Sequence, residues 1–309
     1  MDNNAMHLDF TGISDQDKDK GQIHRFDHQA MHTQFEILTT HPEPYYASQV
    51  AHEAFLLLDH LEYDLSRFIS NSDISRINRS PFQLILISED TIQCLRTAQI
   101  MEEKTNGYFN IIIGRIIDLY KNQTGQPIDI ALSAQKHLEL DMDRYLASLT
   151  HDQAIIDLGG IAKGFAIDRM TALLRDWDIQ SALIHGGQST VYAYGDYDDQ
   201  SGWPVSISDP FQEQGLDIFR LDNQALSASG LEKGSHIINP KTKQPVAQNQ
   251  ASWAITTTAI EADALSTAFM IMTKDEISSL CQEYMDYGGL KLIGQDGGSE
   301  LYHFGILES

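Results

Sequence analysis

Residues 157–170 read Asp-Leu-Gly-Gly-Ile-Ala-Lys-Gly-Phe-Ala-Ile-Asp-Arg-Met, and the fold turns on this stretch. Just before it, Ala154-Ile155-Ile156 is a short apolar run that predicts a buried strand. Gly159-Gly160 then marks a sharp turn or a place where a ligand approaches the backbone. Ile161, Phe165, Ile167, Met170 and Leu174 recur at roughly helical spacing and predict a helix. A helix that opens behind a glycine pair presents free N–H groups and a positive dipole end, which suit a phosphate. Lys163, in the first turn, adds a point charge. The stretch is neither GxxxxGK[ST] nor GxGxxG, and a plain strand–turn–helix corner accounts for it equally well.

Working outward, the 309 residues allow one large domain or two small ones. The apolar share, 42%, is enough for a sizeable core. A formal net charge of −23 argues against nucleic acid or an anionic membrane as partner. It also means that an anionic ligand needs local positive charge or a cation. Cys94 and Cys281 are too few for a disulfide scaffold, and no CxxC, CxxH or HExxH spacing points to zinc. The start, MDNNAMHLDFTG, has no basic region, apolar stretch or lipid-attachment cysteine, and no apolar run is long enough to span a bilayer. The expectation is a cytoplasmic protein without membrane insertion.

Residues 1–23 read as a flexible, acidic and polar tail, and 24–309 as a single domain. Helices are predicted from Tyr46 to Arg67 after the Pro42-Glu43-Pro44 break, from a Ser88 cap to Lys104, over Leu132–Leu140, after Gly160, and over Glu261–Met272. Asn71-Ser72-Asp73 caps a further short helix. Strands are predicted at Gln34–Thr39, Phe82–Ile87, Tyr145–Leu149, Ser181–His185, Val191–Tyr194, Trp203–Ser208, Asp217–Arg220, Gln224–Ser229, Ser252–Thr257, Lys291–Ile293 and His303–Ile306. Tyr108–Leu119 reads as strand or helix alike. Strands cluster without βαβ alternation, so the fold class is α+β: a largely antiparallel sheet with flanking helices.

Five stretches then fall in the order of one family. Residues 157–170 resemble the central signature of the ApbE family, the FAD-dependent protein flavinyltransferases. Ala30-Met31-His32-Thr33 resembles its Met-Gly-Thr, and Gly107-Tyr108-Phe109-Asn110 its Gly-x-Phe-Asp. Ser229-Gly230 with Ser235-His236-Ile237-Ile238-Asn239-Pro240 resembles its Ser-Gly and His-Ile-Ile-Asp-Pro. Glu261 to Ala268 (EADALSTA) resembles its Ala-Asp-x-Leu-x-Thr-Ala. The resemblance implies FAD as substrate, Mg²⁺ as cofactor, and transfer of FMN to a threonine or serine hydroxyl of an acceptor protein with release of AMP. Some relatives hydrolyse FAD to FMN and AMP, and others only carry flavin.

Asp263 and Thr267 are four apart on a predicted helix and share a face. Their oxygens are hard ligands that suit Mg²⁺, and the resemblance adds the Gly160 carbonyl. It also implies that Asp157 contacts FAD with Lys163 nearby, and that Met31, Tyr108, Phe109 and Asn110 line the flavin side. His236 is the candidate base, since an imidazole can take a proton from a hydroxyl at neutral pH. The chain departs from the pattern at His32 and Lys243, where Gly is usual, at Asn110 and Asn239, where Asp is usual, and at His185, where Asn is usual. Asn keeps the shape of Asp but loses its charge, so a catalytically weakened flavin binder and an FAD pyrophosphatase stand beside the transferase. The bulk of His32 is expected to crowd the flavin.

Overall fold

Seven of the predicted strands join with an unpredicted one, His24–Ala30, into an eight-stranded sheet. Its order is Gly298–Gly305, Gly288–Gln295, Gln250–Thr256, Gln224–Gly230, Thr190–Tyr194, Ala182–Gly186, Thr33–Thr39 and His24–Ala30. Every neighbouring pair is antiparallel, as the α+β reading expects. The computed structural model describes residues 8–9, 23–122, 133–212, 214–230, 237–246, 250–295 and 298–308. Most of the expected tail, and His236, lie outside the described residues; Leu8–Asp9 pairs with Trp203–Ser208.

Alternation along the strands sends two sets of side chains to opposite faces. Ile37, Ile184, Tyr192, Ala225 and Ala254 join a core shared with the helices. Leu38, Leu183, Val191, Leu226, Trp253 and Ile255 form a second core. It is closed by Trp203, Val205, Ile207 and Leu221 of the pair Trp203–Ser208 and Gly215–Leu221. The protein is thus layered as helices, large sheet, small sheet.

Eight helices are described: α1 (Pro44–Leu65), α2 (Asp73–Arg79), α3 (Glu89–Lys104), α4 (Gly114–Asn122), α5 (Ala134–His137), α6 (Ala162–Asp176), α7 (Ala259–Ile271) and α8 (Lys274–Glu283). The strand Thr33–Thr39 ends before Pro42-Glu43-Pro44, and Pro44 opens α1, because its fixed φ and missing N–H suit a first turn. Ser72 and Ser88 cap α2 and α3 by accepting from the N–H groups of Ser75 and Thr91. The α8 helix, absent from the sequence reading, starts with a Thr273–Glu276 capping box.

Four expectations need correction. Among the described residues of Leu132–Leu140 only Ala134–His137 is helix, and Leu138–Asp141 is a strand. Ala154 and Ile156 are buried and Ile155 is half-buried, but the segment joins no ladder. Its backbone is satisfied piecemeal: Gly114 donates to the Ile155 carbonyl (3.0 Å), and the Asn78 amide brackets Ile156 at 2.8 and 2.9 Å. Within Phe82–Ile87 only Ile85–Leu86 is a strand. The ambiguous Tyr108–Leu119 run is loop until Gly114, and then helix.

The α6 and α7 helices cross at Gly164, where a Cβ would lie 2.2 Å from the Ala259 carbonyl oxygen. They also exchange carboxylates. Asp168 of α6 accepts from the Ala259 and Ile260 N–H groups that open α7 (2.7 and 2.9 Å). Asp263 of α7 accepts from the Gly164 N–H in the first turn of α6 (3.0 Å). At the other end of α7, the buried Lys291 ammonium donates to the Phe269 and Met272 carbonyls (2.9 and 2.5 Å). Each helix end therefore meets the charge its dipole favours. Burial lowers the Lys291 pKa to about 8.

Burial also raises the Asp168 carboxyl to about 6, against the opposing pull of its two N–H bonds. A raised carboxylate pKa gives stability that is complete below the unfolded value, 3.8, and lost as pH rises through the folded one. The stability difference between wild type and Asp168→Asn should therefore shift against wild type between pH 5 and 7.5, by roughly 1.4 kcal/mol. Urea unfolding at both pH values measures it. A shift toward wild type would show that the N–H bonds outweigh burial.

Candidate functional site

The end of the sheet at the Met31-His32 turn, the segment Asp157–Lys163 and the cleft face of α7 enclose a cavity of about 790 Å³. That lies in the upper part of the range for small-molecule sites, roughly 300–1,000 Å³. Met31, Tyr108, Phe109, Asn110, Asp157, Gly160, Lys163, Asp263 and Thr267 all line it. Ile237 and Ile238, which follow His236 in sequence, line it too.

Asp263 is buried and its two oxygens have different work. Oδ2 takes the Gly164 N–H. Oδ1 faces the Thr190 hydroxyl at 3.3 Å and the Lys163 ammonium at 3.6 Å. Thr267 stands one turn further along α7, beside Gly160: a Cβ on Gly160 would lie 3.1 Å from the Thr267 hydroxyl oxygen. Ser229 Oγ is 3.4 Å from that hydroxyl and 2.9 Å from Ser266 Oγ, and Ser266 donates back to the Asp263 carbonyl at 3.0 Å. Among the described residues no group of three or more His, Cys, Asp or Glu gathers to cage an ion. A carboxylate and a hydroxyl beside a glycine backbone are instead the sparse, hard-oxygen set that suits Mg²⁺, which takes its other ligands from phosphate and water.

The glycine-turn segment is held by side chains that sequence reading missed. Arg67, at the end of α1, pairs with Asp157 (2.6 Å) and forks onto Asp118 (2.7 and 3.0 Å). Asp157 also accepts from the Gly159 N–H at 2.9 Å. Tyr108 donates to Glu276 (2.6 Å), which with burial pushes its phenol up to about 12, and Lys241 sits 3.4 Å above its ring. Beyond the turn, Glu36 pairs with Arg25 (2.6 Å) and lies 3.4 Å from His185. The hydrogen bond with His185 is the main reason its carboxyl is held below the usual range, against burial and with help from Arg25.

The departures acquire physical reasons. Asn110 is buried; its Oδ1 accepts from the Ile112 N–H (2.7 Å) and its amide faces Glu102 at 3.4 Å, where an Asp would meet a second carboxylate. Asn239 Oδ1 accepts from the Lys241 and Thr242 N–H groups (2.9 and 3.3 Å), a turn that Asp would make as well. Met31 and His32 have φ of 50° and 59° between paired Ala30 and Thr33, the two-residue hairpin geometry that favours glycine. Lys243, at φ 59°, stands in the same backbone region. The backbone at positions 32 and 243 is thus in the region that glycine favours, and the His32 side chain is exposed at the cavity rim.

Comparisons with known proteins bear on the family and the fold. The chain is 26% identical over 267 residues to an FAD:protein FMN transferase of Haemophilus influenzae, covering 76% of each. It is 25% identical over 237 residues to one from Escherichia coli K12, covering 67% of this chain and 66% of that one. It superposes on the flavin transferase ApbE from Vibrio cholerae with a TM-score of 0.78 at 20% identity, over 92% of this chain and 98% of that one. The ApbE protein of Thermotoga maritima gives 0.76 at 24% identity, over 92% and 97%. Residues 31–290 match the ApbE family model, and the chain belongs to the ApbE family.

Proposed function

We propose that this protein is an FAD:protein FMN transferase, moving FMN from FAD to a threonine or serine hydroxyl of an acceptor protein and releasing AMP. The observation that carries the reading is the convergence of nine residues singled out in sequence on one cavity, in a chain of the ApbE family. Asp263 and Thr267, with the Gly160 carbonyl, would hold Mg²⁺. The ion, when bound, supplies charge neutralisation for the pyrophosphate, which a chain of net charge −23 otherwise opposes.

The chain's own residues do the rest. Arg67 fixes Asp157 against the adenosine side of FAD. Met31, Phe109 and the Tyr108 ring, braced by Glu276 and Lys241, face the flavin. His236 takes the proton of the acceptor hydroxyl as its oxygen bonds to the FMN phosphorus, the bond to AMP breaks, and AMP leaves with the electron pair. We place the reaction in the cytoplasm, in keeping with two free, buried thiols, and treat residues 24–309 as one folding unit. Among the described residues, no helix is long and apolar enough to cross a membrane.

His236→Ala should retain FAD binding and lose about 10²- to 10⁴-fold in transfer to a flavin-accepting peptide, the usual weight of a general base. Fluorescent peptide and AMP, read in the same tube, should appear in equal amounts with wild type. AMP without any acceptor would favour hydrolysis, and bound FAD with neither product would leave a flavin carrier.

A further inference from the structure

We propose that Lys163 is the counter-ion of the proposed cation site: it occupies the outer oxygen of Asp263 until a divalent cation takes that oxygen, and is thereby released to the FAD pyrophosphate. The inference rests on the reading of Asp263 and Thr267 as cation ligands, and adds a coupling between the site's two occupants.

Three observations support it. First, Asp263 divides its oxygens. Oδ2 is committed to the Gly164 N–H, so only Oδ1 can turn to the cavity, and Lys163 Nζ is 3.6 Å from it. Second, Lys163 is badly placed for its own helix. It lies in the first turn of α6, which carries no acidic residue, and a cation there opposes the helix dipole. Its position is explained by Asp263, not by helix stability. Third, the two side chains differ in freedom. The Asp263 side chain is 5% exposed and bonded on both oxygens, whereas that of Lys163 is 22% exposed and lines the open cavity. When charges compete at Oδ1, it is the long lysine stem that moves.

An ammonium and a divalent cation cannot share one carboxylate oxygen in a partly buried site without strong repulsion. Cation binding therefore includes the cost of displacing Lys163. FAD binding lowers that cost by offering the ammonium a pyrophosphate instead. By linkage the effect is mutual, so each occupant tightens the other. No covalent step is involved.

The test is Mn²⁺ binding to the full-length protein, followed by electron paramagnetic resonance with and without FAD, in wild type, Lys163→Met, Lys163→Arg and Asp263→Asn. Lys163→Met should bind Mn²⁺ more tightly than wild type in the absence of FAD, by up to roughly fivefold, the equivalent of a partly exposed ion pair. It should bind FAD more weakly, and the tightening of Mn²⁺ by FAD should shrink. Lys163→Arg, which keeps the charge, should resemble wild type. A merely structural lysine would not move the two affinities in opposite directions. Mn²⁺ affinity that is lost in Asp263→Asn but unchanged or weaker in Lys163→Met overturns the exchange alone. Mn²⁺ binding that ignores Asp263→Asn overturns both the exchange and the cation site.

Discussion

Asp263→Ala should lose FMN transfer by a thousandfold or more, because the substitution removes the one buried carboxylate at the proposed cation site. A bound cation is worth several kcal/mol of transition-state charge stabilisation, and about 4 kcal/mol corresponds to that factor. The same side chain also holds α6 in place through the Gly164 N–H, so the variant should lose a further ~1–3 kcal/mol of stability, the usual cost of stranding a buried donor. Asp263→Asn separates the two roles. Its amide oxygen still accepts from Gly164, so the fold should survive nearly intact while transfer collapses. Peptide labelling and urea unfolding, run on both variants, check this pair of outcomes. More than a tenth of wild-type transfer in Asp263→Ala would remove the residue from the chemistry.

Gly164→Ala should be strongly destabilising. Its Cβ would fall 2.2 Å from the Ala259 oxygen, 2.6 Å from the Ala259 carbonyl carbon and 2.8 Å from Ile260 Cα. These are backbone atoms, so no rotamer change relieves the contact, and α6 and α7 must part. Alanine is the better helix former by up to about 1 kcal/mol, but overpacking a rigid crossing costs ~3 kcal/mol or more. Parting the helices also lengthens the bonds from Ala259 and Ile260 to Asp168 and from Gly164 to Asp263. Net destabilisation of about 2 kcal/mol, a fall in Tm of roughly 5 °C or more, and weaker cation binding should appear together. An unchanged or higher Tm would mean that the crossing is looser than described.

The local signals in the sequence were the legible ones. Ser72 and Ser88 named the starts of α2 and α3, and burial along α1 falls at helical spacing on Val50, Ala54, Leu58, Leu61 and Leu65, with Leu57 half-buried. Thr273-Lys-Asp-Glu276 carried the same kind of signal for α8, in a helix of ten residues that lacked a long apolar stripe to draw attention. Strand order was not legible, because Leu38 pairs with Leu183 and no local pattern encodes a partner so far away. The site was reached by motif resemblance, which located nine lining residues. Arg67, Asn78 and Asp168 escaped because each acts on groups from a distant part of the chain: Arg67 on Asp157, Asn78 on Ile156, Asp168 on Ala259 and Ile260. Ala154–Ile156 looked like a strand because it is apolar; its hydrogen bonds go instead to the first residue of α4 and to the Asn78 side chain.

The clamps on α7 also set a timetable for the newborn chain. Its opening turn waits on Asp168, made earlier, and its closing turn waits on Lys291, which emerges from the ribosome only after α8. A nascent chain that has just completed Asp263 and Thr267 therefore holds the proposed ligands on a helix with one end still unanchored. Competence for the cation and for FAD should switch on late and abruptly, when the strand Gly288–Gln295 docks against Gln250–Thr256. Ribosome-stalled chains ending before and after that strand should differ in flavin retention accordingly, which would keep half-made enzyme from drawing on the cell's FAD.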